Sequence, residues 1–159
     1  MNWGHYLFGF SGRLNRAKFW LWLPIYFIAA LVVGAIDFIA FIYVIHSPML
    51  AGIVQLAFGI VALVSGLAVM TKRLHDRNKS AWWLVIFVLV SPVLLGIGKG
   101  IATSDSSDIR GLISSEFILA ANAILIWAFV ELACLRGTVG TNRHGPDPLE
   151  GEQHESAGQ

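Results

Sequence analysis

The residues best suited to chemistry gather in one polar stretch, Lys72-Arg73-Leu74-His75-Asp76-Arg77-Asn78-Lys79-Ser80-Ala81-Trp82-Trp83, between two long apolar runs. It holds four of the eleven Lys and Arg residues and ends in a Trp pair. Arg73 and Arg77 suit an anion, because a planar guanidinium bonds two oxygens of a phosphate or carboxylate at once. In that reading Asp76 holds one guanidinium in place. The same residues suit a structural latch, in which Arg73 or Arg13 pairs with Asp76 or Asp147 and ties loop to tail. The two readings are compatible, since a latch can shape a headgroup pocket. His75 and Asp76 would be the residues of an enzyme acting on lipid headgroups or envelope intermediates.

Other chemistries find less support. His75, Asp76, His144 and Asp147 have metal-binding side chains, but no H-E-x-x-H and no Cys pair accompanies them. No metal or other cofactor is expected. Gly96-Ile97-Gly98-Lys99-Gly100 lacks the spacing of a phosphate loop. Cys134 is the one cysteine, so it forms no internal disulfide, and it reads as a small apolar helix residue.

The elements that position these residues are membrane helices. Hydrophobic residues make up 56% of the 159-residue chain and charged residues 13%, about half the share usual in a soluble domain. The mean hydropathy is +0.68. A crossing needs roughly 20 apolar residues. The pattern predicts an all-α, polytopic protein with four transmembrane helices at about 19–45, 50–70, 82–101 and 117–135, in a single membrane domain over 1–148. The first run is too long for the core of a cleavable signal peptide, so it is expected to remain as an anchor. Trp3, Tyr6, Leu7 and Phe10 share a helical face, which allows a short interfacial N-terminal helix. Residues 149–159 are polar and acidic and are expected to be disordered.

Details within the runs carry further expectations. Asn15 is placed to cap the first crossing. Trp20 and Trp22 open it at the interface. Asp37 lies near its far end, as an interfacial or locally paired carboxylate or as a functional one. Gly52, Gly59 and Gly66 recur every seven residues and predict a close helix contact. Pro92 should kink the third crossing. Residues 102–116 read as a polar loop, with Ser114 or Ser115 capping the fourth crossing. Glu131, one turn from the end of that crossing, is expected to pair with Arg136 or Arg73, or to serve a site.

Charge placement predicts orientation. Arg13, Arg16, Lys18, Lys72, Arg73, Arg77, Lys79, Arg136 and Arg143 fall on one side, and Lys99 and Arg110 on the other. Lys and Arg accumulate on the cytoplasmic side, so both termini and the central loop are expected there. An even number of crossings agrees. The basic segments would then form one polar layer, with Trp3, Trp20, Trp22, Trp82 and Trp83 at its rim. Residues so close to the membrane meet anionic headgroups before nucleic acid, which argues against a nucleic-acid partner.

Three segments together resemble a known family. Phe10-Ser11-Gly12-Arg13-Leu14-Asn15-Arg16-Ala17-Lys18-Phe19-Trp20 is similar to an F-x-G-R-x-x-R-x-x-F-W opening. Arg73-Leu74-His75-Asp76 through Ser80-Ala81-Trp82-Trp83 is similar to an R-L-H-D-x-G-x-S-G/A-W-W core. Asn142-Arg143-His144-Gly145-Pro146-Asp147-Pro148 is similar to an N-x-Y/F-G-P-D-P ending. In this order they resemble the DUF805 family of small bacterial inner-membrane proteins, over roughly residues 8–148. The resemblance implies a four-helix inner-membrane protein and no particular activity. Asn78 stands where the family usually has Gly, and Asn tolerates a left-handed backbone. His144 stands where an aromatic residue is usual.

The reading that joins these observations is a non-enzymatic bundle, binding anionic lipid or a protein partner through its polar layer. Its candidate residues are Arg13, Arg16, Arg73, His75, Asp76, Arg77, Ser80, Trp82, Trp83, Asn142 and Asp147. Membrane lipids are the expected partners, and a membrane protein or a second copy of the chain is compatible. A small transporter or channel subunit is the alternative, motivated by Asp37, Glu131 and the Pro92 kink. A pore needs polar groups along its length, and the middle of the membrane is nearly bare of them.

Overall fold

A computed structural model of the chain describes residues 2–40, 42, 48–102 and 108–150. Helix α1 spans Trp3–Phe8, capped by the Asn2 side chain on the His5 N–H. Helix α2 spans Arg16–Ala40 and α3 spans Pro48–Asp76. A π-helical stretch, Val85–Val90, leads into α4, Ser91–Ala102. Helix α5, Asp108–Phe129, runs into a second π-helical stretch, Val130–Cys134. Four of these segments are long and apolar enough to cross a membrane: Arg16–Ala40, Met49–Asp76, Val85–Ala102 and Ile109–Cys134. The architecture is all-α.

Several boundaries differ from the sequence reading. Asn15 does cap α2, accepting from the Lys18 N–H at 2.9 Å. The helix therefore begins at Arg16, three residues before the apolar run. Helix α3 continues past Met70 to Asp76, so Lys72, Arg73, His75 and Asp76 lie on its last turns, and only Arg77 to Ser80 lie in the turn that follows. Helix α5 begins at Asp108, which makes 108–116 helical instead of loop. Ser114 is not a cap: its hydroxyl donates to Gly98 O of α4 at 2.8 Å, and Ser115 donates to Leu112 O at 2.7 Å. Helical hydrogen bonding inside this hairpin overrides the turn preference of the Ser and Asp residues. The expected turn at His46-Ser47 and the tail from 151 lie outside the described residues, as do 103–107.

Proline 92 acts through the turn before it. A proline has no N–H for the carbonyl four residues back. The ladder widens ahead of it, and the Ser91 N–H donates to Ile86 O, one residue further than in an α-helix. The Ser91 hydroxyl ties this point to Ala121 O at 3.2 Å.

Helices α2 and α3 form one antiparallel pair, and α4 and α5 a second. The Trp22 ring N–H donates to Ser65 Oγ at 3.2 Å. A Cβ on Gly66 would stand 3.3 Å from the Trp22 ring, whereas Gly52 and Gly59 have nothing within 4 Å. Only the last glycine of the expected contact face is thus a contact. The buried apolar side chains, among them Tyr6, Leu14, Phe19, Val69, Leu74, Leu84, Phe87 and Leu132, form one cluster where the two pairs meet. In α2 only Phe19 is buried, as expected of a helix whose solvent is lipid.

Candidate functional site

The polar residues collect where three helix C-termini face one another. Each such end leaves carbonyls without helical partners and carries partial negative charge. The chain answers with side-chain donors. At the end of α5, five consecutive carbonyls each accept from a side chain. Leu132 O takes Arg73 Nε at 2.8 Å, Ala133 O takes Trp20 Nε1 at 3.1 Å and Cys134 O takes Arg16 Nη1 at 3.0 Å. Leu135 O takes Arg73 Nη2, and Arg136 O takes Arg77 Nη1 at 2.6 Å. The widened turn at Val130–Cys134 presents these carbonyls toward α2 and α3.

Helix α3 ends in a Schellman motif. Lys79 N donates to Leu74 O at 2.8 Å and Asn78 N to His75 O at 3.0 Å. Asn78 occupies the left-handed position, φ 56°, a backbone that Asn tolerates better than most residues. The tail completes the cap. Thr138 N and Oγ1 donate to Asp76 O at 2.8 and 3.0 Å, Asn142 Nδ2 to His75 O at 3.0 Å, and Arg143 Nη2 to Asn78 O at 2.8 Å. At α1, the buried Lys72 ammonium donates to His5 O at 2.7 Å and Tyr6 O at 2.6 Å.

Asp76 sits at the centre. Its Oδ1 accepts from Arg13 Nε at 3.1 Å and Nη2 at 3.0 Å, and its Oδ2 accepts from Arg73 Nη1. All three side chains are nearly inaccessible, at 1%, 0% and 4% for Arg13, Arg73 and Asp76. Arg13 also donates to the tail carbonyls of Thr138, Gly140 at 2.6 Å and Gly145 at 3.3 Å. Arg73 Nη1 reaches Leu14 O at 3.3 Å. Two cations share one carboxylate, and backbone carbonyls take up the remaining donors, as buried charge requires.

The other candidate residues surround this triad. Glu131 is buried and accepts from Arg77 Nε and Lys79 Nζ, each at 3.0 Å. Its partners are therefore neither Arg136 nor Arg73, because Arg73 is turned into the triad. His75 Nδ1 lies 3.2 Å from Gly12 O, and its ring stacks on His144 with centroids 3.9 Å apart and planes 8° from parallel. Burial holds the His144 imidazole below its ordinary pKa, helped by His75, Arg143 and Arg13 nearby. Asp147 accepts from Leu149 N at 3.0 Å and Gly140 N at 2.9 Å. These backbone donors, Leu149 first, keep its carboxyl below the usual range, with Arg13 and Arg136 adding to the effect. Trp83 packs inward, edge to face with Trp127 at 5.1 Å and under the Lys79 ammonium at 5.0 Å. Ser80 Oγ accepts from Trp82 N at 3.4 Å, while the Trp82 ring is exposed at the rim. Asp37 lies at the opposite end of the bundle, bonded to Gln55 Nε2 at 2.7 Å.

Beside the triad lies an open groove of ≈ 640 Å³, between the start of α2 and the tail. Arg16, Trp20, Cys134, Arg136, Val139 and Leu149 are among its lining residues.

Three stretches of motif thus converge on one polar layer. A model of the family described as "Protein of unknown function (DUF805)" matches residues 7–146. The chain belongs to the DUF805 family. Relatives in Escherichia coli K12 include the uncharacterized protein YiiR, 27% identical over 155 residues, covering 89% of this chain and 87% of that one. The inner membrane protein YhaH is 27% identical over 147 residues, covering 88% and 87%. The inner membrane protein YhaI is 27% identical over 143 residues, covering 90% and 88%. No solved structure matches. This DUF805 chain is a membrane protein of a family whose function is not known, and two of these relatives, YhaH and YhaI, are named as inner membrane proteins.

Sequence reasoning selected the acids and bases of the layer but not their acceptors. Backbone carbonyls 132–136 have no signature in side-chain types. Lys72, Gly137 and Thr138 belong to the segments expected in the layer but not to the candidate residues singled out within it.

Proposed function

We propose that this DUF805 chain is a non-enzymatic bacterial inner-membrane protein whose polar layer is a structural latch, working through anionic lipid at its cytoplasmic boundary. One observation carries the reading: the motif residues bond to helix ends and to one another. Both Asp76 oxygens are held by arginines, and Arg73 is wholly buried. A general acid or base needs a free, reachable atom beside its substrate. Asp76 offers none, and the His75 ring is stacked on His144 with its Nδ1 beside Gly12 O. Orientation follows from the nine basic residues at the layer against Lys99 and Arg110 elsewhere.

The test is native mass spectrometry of the protein reconstituted in nanodiscs containing phosphatidylcholine and phosphatidylglycerol. The expected result is retained phosphatidylglycerol in preference to phosphatidylcholine, with no lipid product formed. Equal retention of both lipids, or turnover of either, would contradict the reading.

A further inference from the structure

The groove beside the triad is the part of the layer whose cations are not fully engaged. Among the described residues, Arg16 donates a single hydrogen bond, to Cys134 O, and the Arg136 guanidinium donates none. The two carboxylates that line the same groove are already occupied. Asp76 is held by Arg13 and Arg73, and Asp147 by the N–H groups of Gly140 and Leu149. Counting Arg13, Arg16, Arg73 and Arg136 against Asp76 and Asp147, the charge around the groove is positive, with Arg136 near enough to Asp147 to hold its carboxyl down. A guanidinium pair of this kind suits a phosphate diester, to which each fork can offer two N–H groups.

The surroundings favour a lipid over a soluble phosphate. Arg16, Trp20, Leu23 and Phe27 follow the spacing of one helical face on α2. Trp20, Leu23 and Phe27 are all exposed, so an apolar stripe leaves the groove along the membrane-crossing helix. Trp20 lies one turn into the membrane-crossing helix α2, and indole rings suit the headgroup level at such helix ends. Basic pockets between membrane helices bind anionic headgroups in this manner.

We propose that the groove between α2 and the tail binds the phosphate of an anionic phospholipid, with Arg16 and Arg136 as its ligands and the α2 stripe receiving an acyl chain. This rests on the lipid-contact reading above and names its site. Neither arginine side chain bonds to Arg13, Arg73 or Asp76, so R16Q/R136Q removes no hydrogen bond of the triad and one from the end of α5, at Cys134 O.

Cys134 is exposed, lines the groove and is the one cysteine of the chain, so it reports occupancy directly. The experiment measures its alkylation by the uncharged reagent N-ethylmaleimide in nanodiscs of phosphatidylcholine, with and without phosphatidylglycerol. Wild type is compared with R16Q/R136Q, and a third arm adds inorganic phosphate to phosphatidylcholine discs. Occupancy of about two-thirds slows alkylation about threefold. The expected result is that slowing in wild type, with none in R16Q/R136Q and none with inorganic phosphate. Equal slowing in both proteins, or none in wild type, overturns the site. Protection by inorganic phosphate without protection by phosphatidylglycerol overturns the lipid assignment. Native mass spectrometry of the same discs separates the two levels. If wild type and R16Q/R136Q retain equal phosphatidylglycerol, the groove fails while the lipid reading stands. If neither retains any, both fail.

Discussion

Gly137 lies against the Asp76 carboxylate so closely that a Cβ at position 137 would stand 2.0 Å from Asp76 Oδ2. The obstacle is space, and it lies at the group that ties Arg13 to Arg73. Relief would require moving a carboxylate held by two buried guanidinium groups. Gly137→Ala should therefore loosen the triad and the tail together, at about 1–3 kcal/mol or more, in the range of overpacked cores. Gly111 on α5 has nothing within 4 Å, so Gly111→Ala should be neutral or slightly stabilising. Unfolding midpoints in detergent compare the two. Equal midpoints would contradict the close packing of the tail on Asp76.

The stacked pair of His75 and His144 predicts a pH dependence. His144 is held below its ordinary value near 6.5, so the unfolded chain binds more protons than the folded one just below that pH. Stability then rises with pH through this window and is lost on acidification. The thermal midpoint should fall between about pH 7.5 and pH 5.5. His144→Tyr keeps a ring over His75 without the imidazole charge, and should make the fall smaller. An unchanged pH profile in that variant would show that His144 titration is not the cause.

Both described ends of the chain meet at the polar layer, since Arg13 bonds to the carbonyls of Gly140 and Gly145. The charge bias then predicts one location for both. A C-terminal green fluorescent protein fusion should fluoresce, and a C-terminal alkaline phosphatase fusion should be inactive. A fusion to the phosphatase in the α4–α5 connection should be active. The reverse pattern would invert the proposed orientation.

Glu131 offers a test of the partners found for it. Arg77 and Lys79 both bond to its Oε1, so Glu131→Gln leaves two cations facing a neutral amide. The expected cost is about 3 kcal/mol, as for a broken buried pair, reduced because Arg77 and Lys79 are partly exposed. Arg136→Gln should not change the cost of Glu131→Gln. Coupling between Glu131 and Arg136 would restore the pairing that the sequence alone suggested.

The number and apolar character of the helices were legible because a membrane crossing needs a long apolar run, and the hydropathy of such a run is conspicuous. Asn15 was legible as a cap because it acts through its own neighbouring backbone, whereas Asn78 was legible as a left-handed turn only through the resemblance to a glycine-bearing motif. The extent of α3 was not, because its last turns carry Lys72, Arg73 and Asp76, which hydropathy alone excludes from a crossing. Only the tertiary partners of these residues make their burial tolerable. The start of α5 was hidden in the same way, by Ser and Asp residues that favour turns in isolation. Arg13, Arg73 and Asp76 were recognisable as a possible pair of charges, whereas the choice of Asp76 over Asp147 depends on where Gly137 and Thr138 place the tail.

The most direct test of the latch is a double-mutant cycle on Arg13 and Asp76, measured as unfolding free energy in detergent. Arg13→Gln and Asp76→Asn should each cost about 3 kcal/mol or more, because each leaves buried charge without its partner. Combined, they should cost less than the sum by at least about 1 kcal/mol. Costs that add within about 0.5 kcal/mol would show the two residues acting independently, and would contradict the latch.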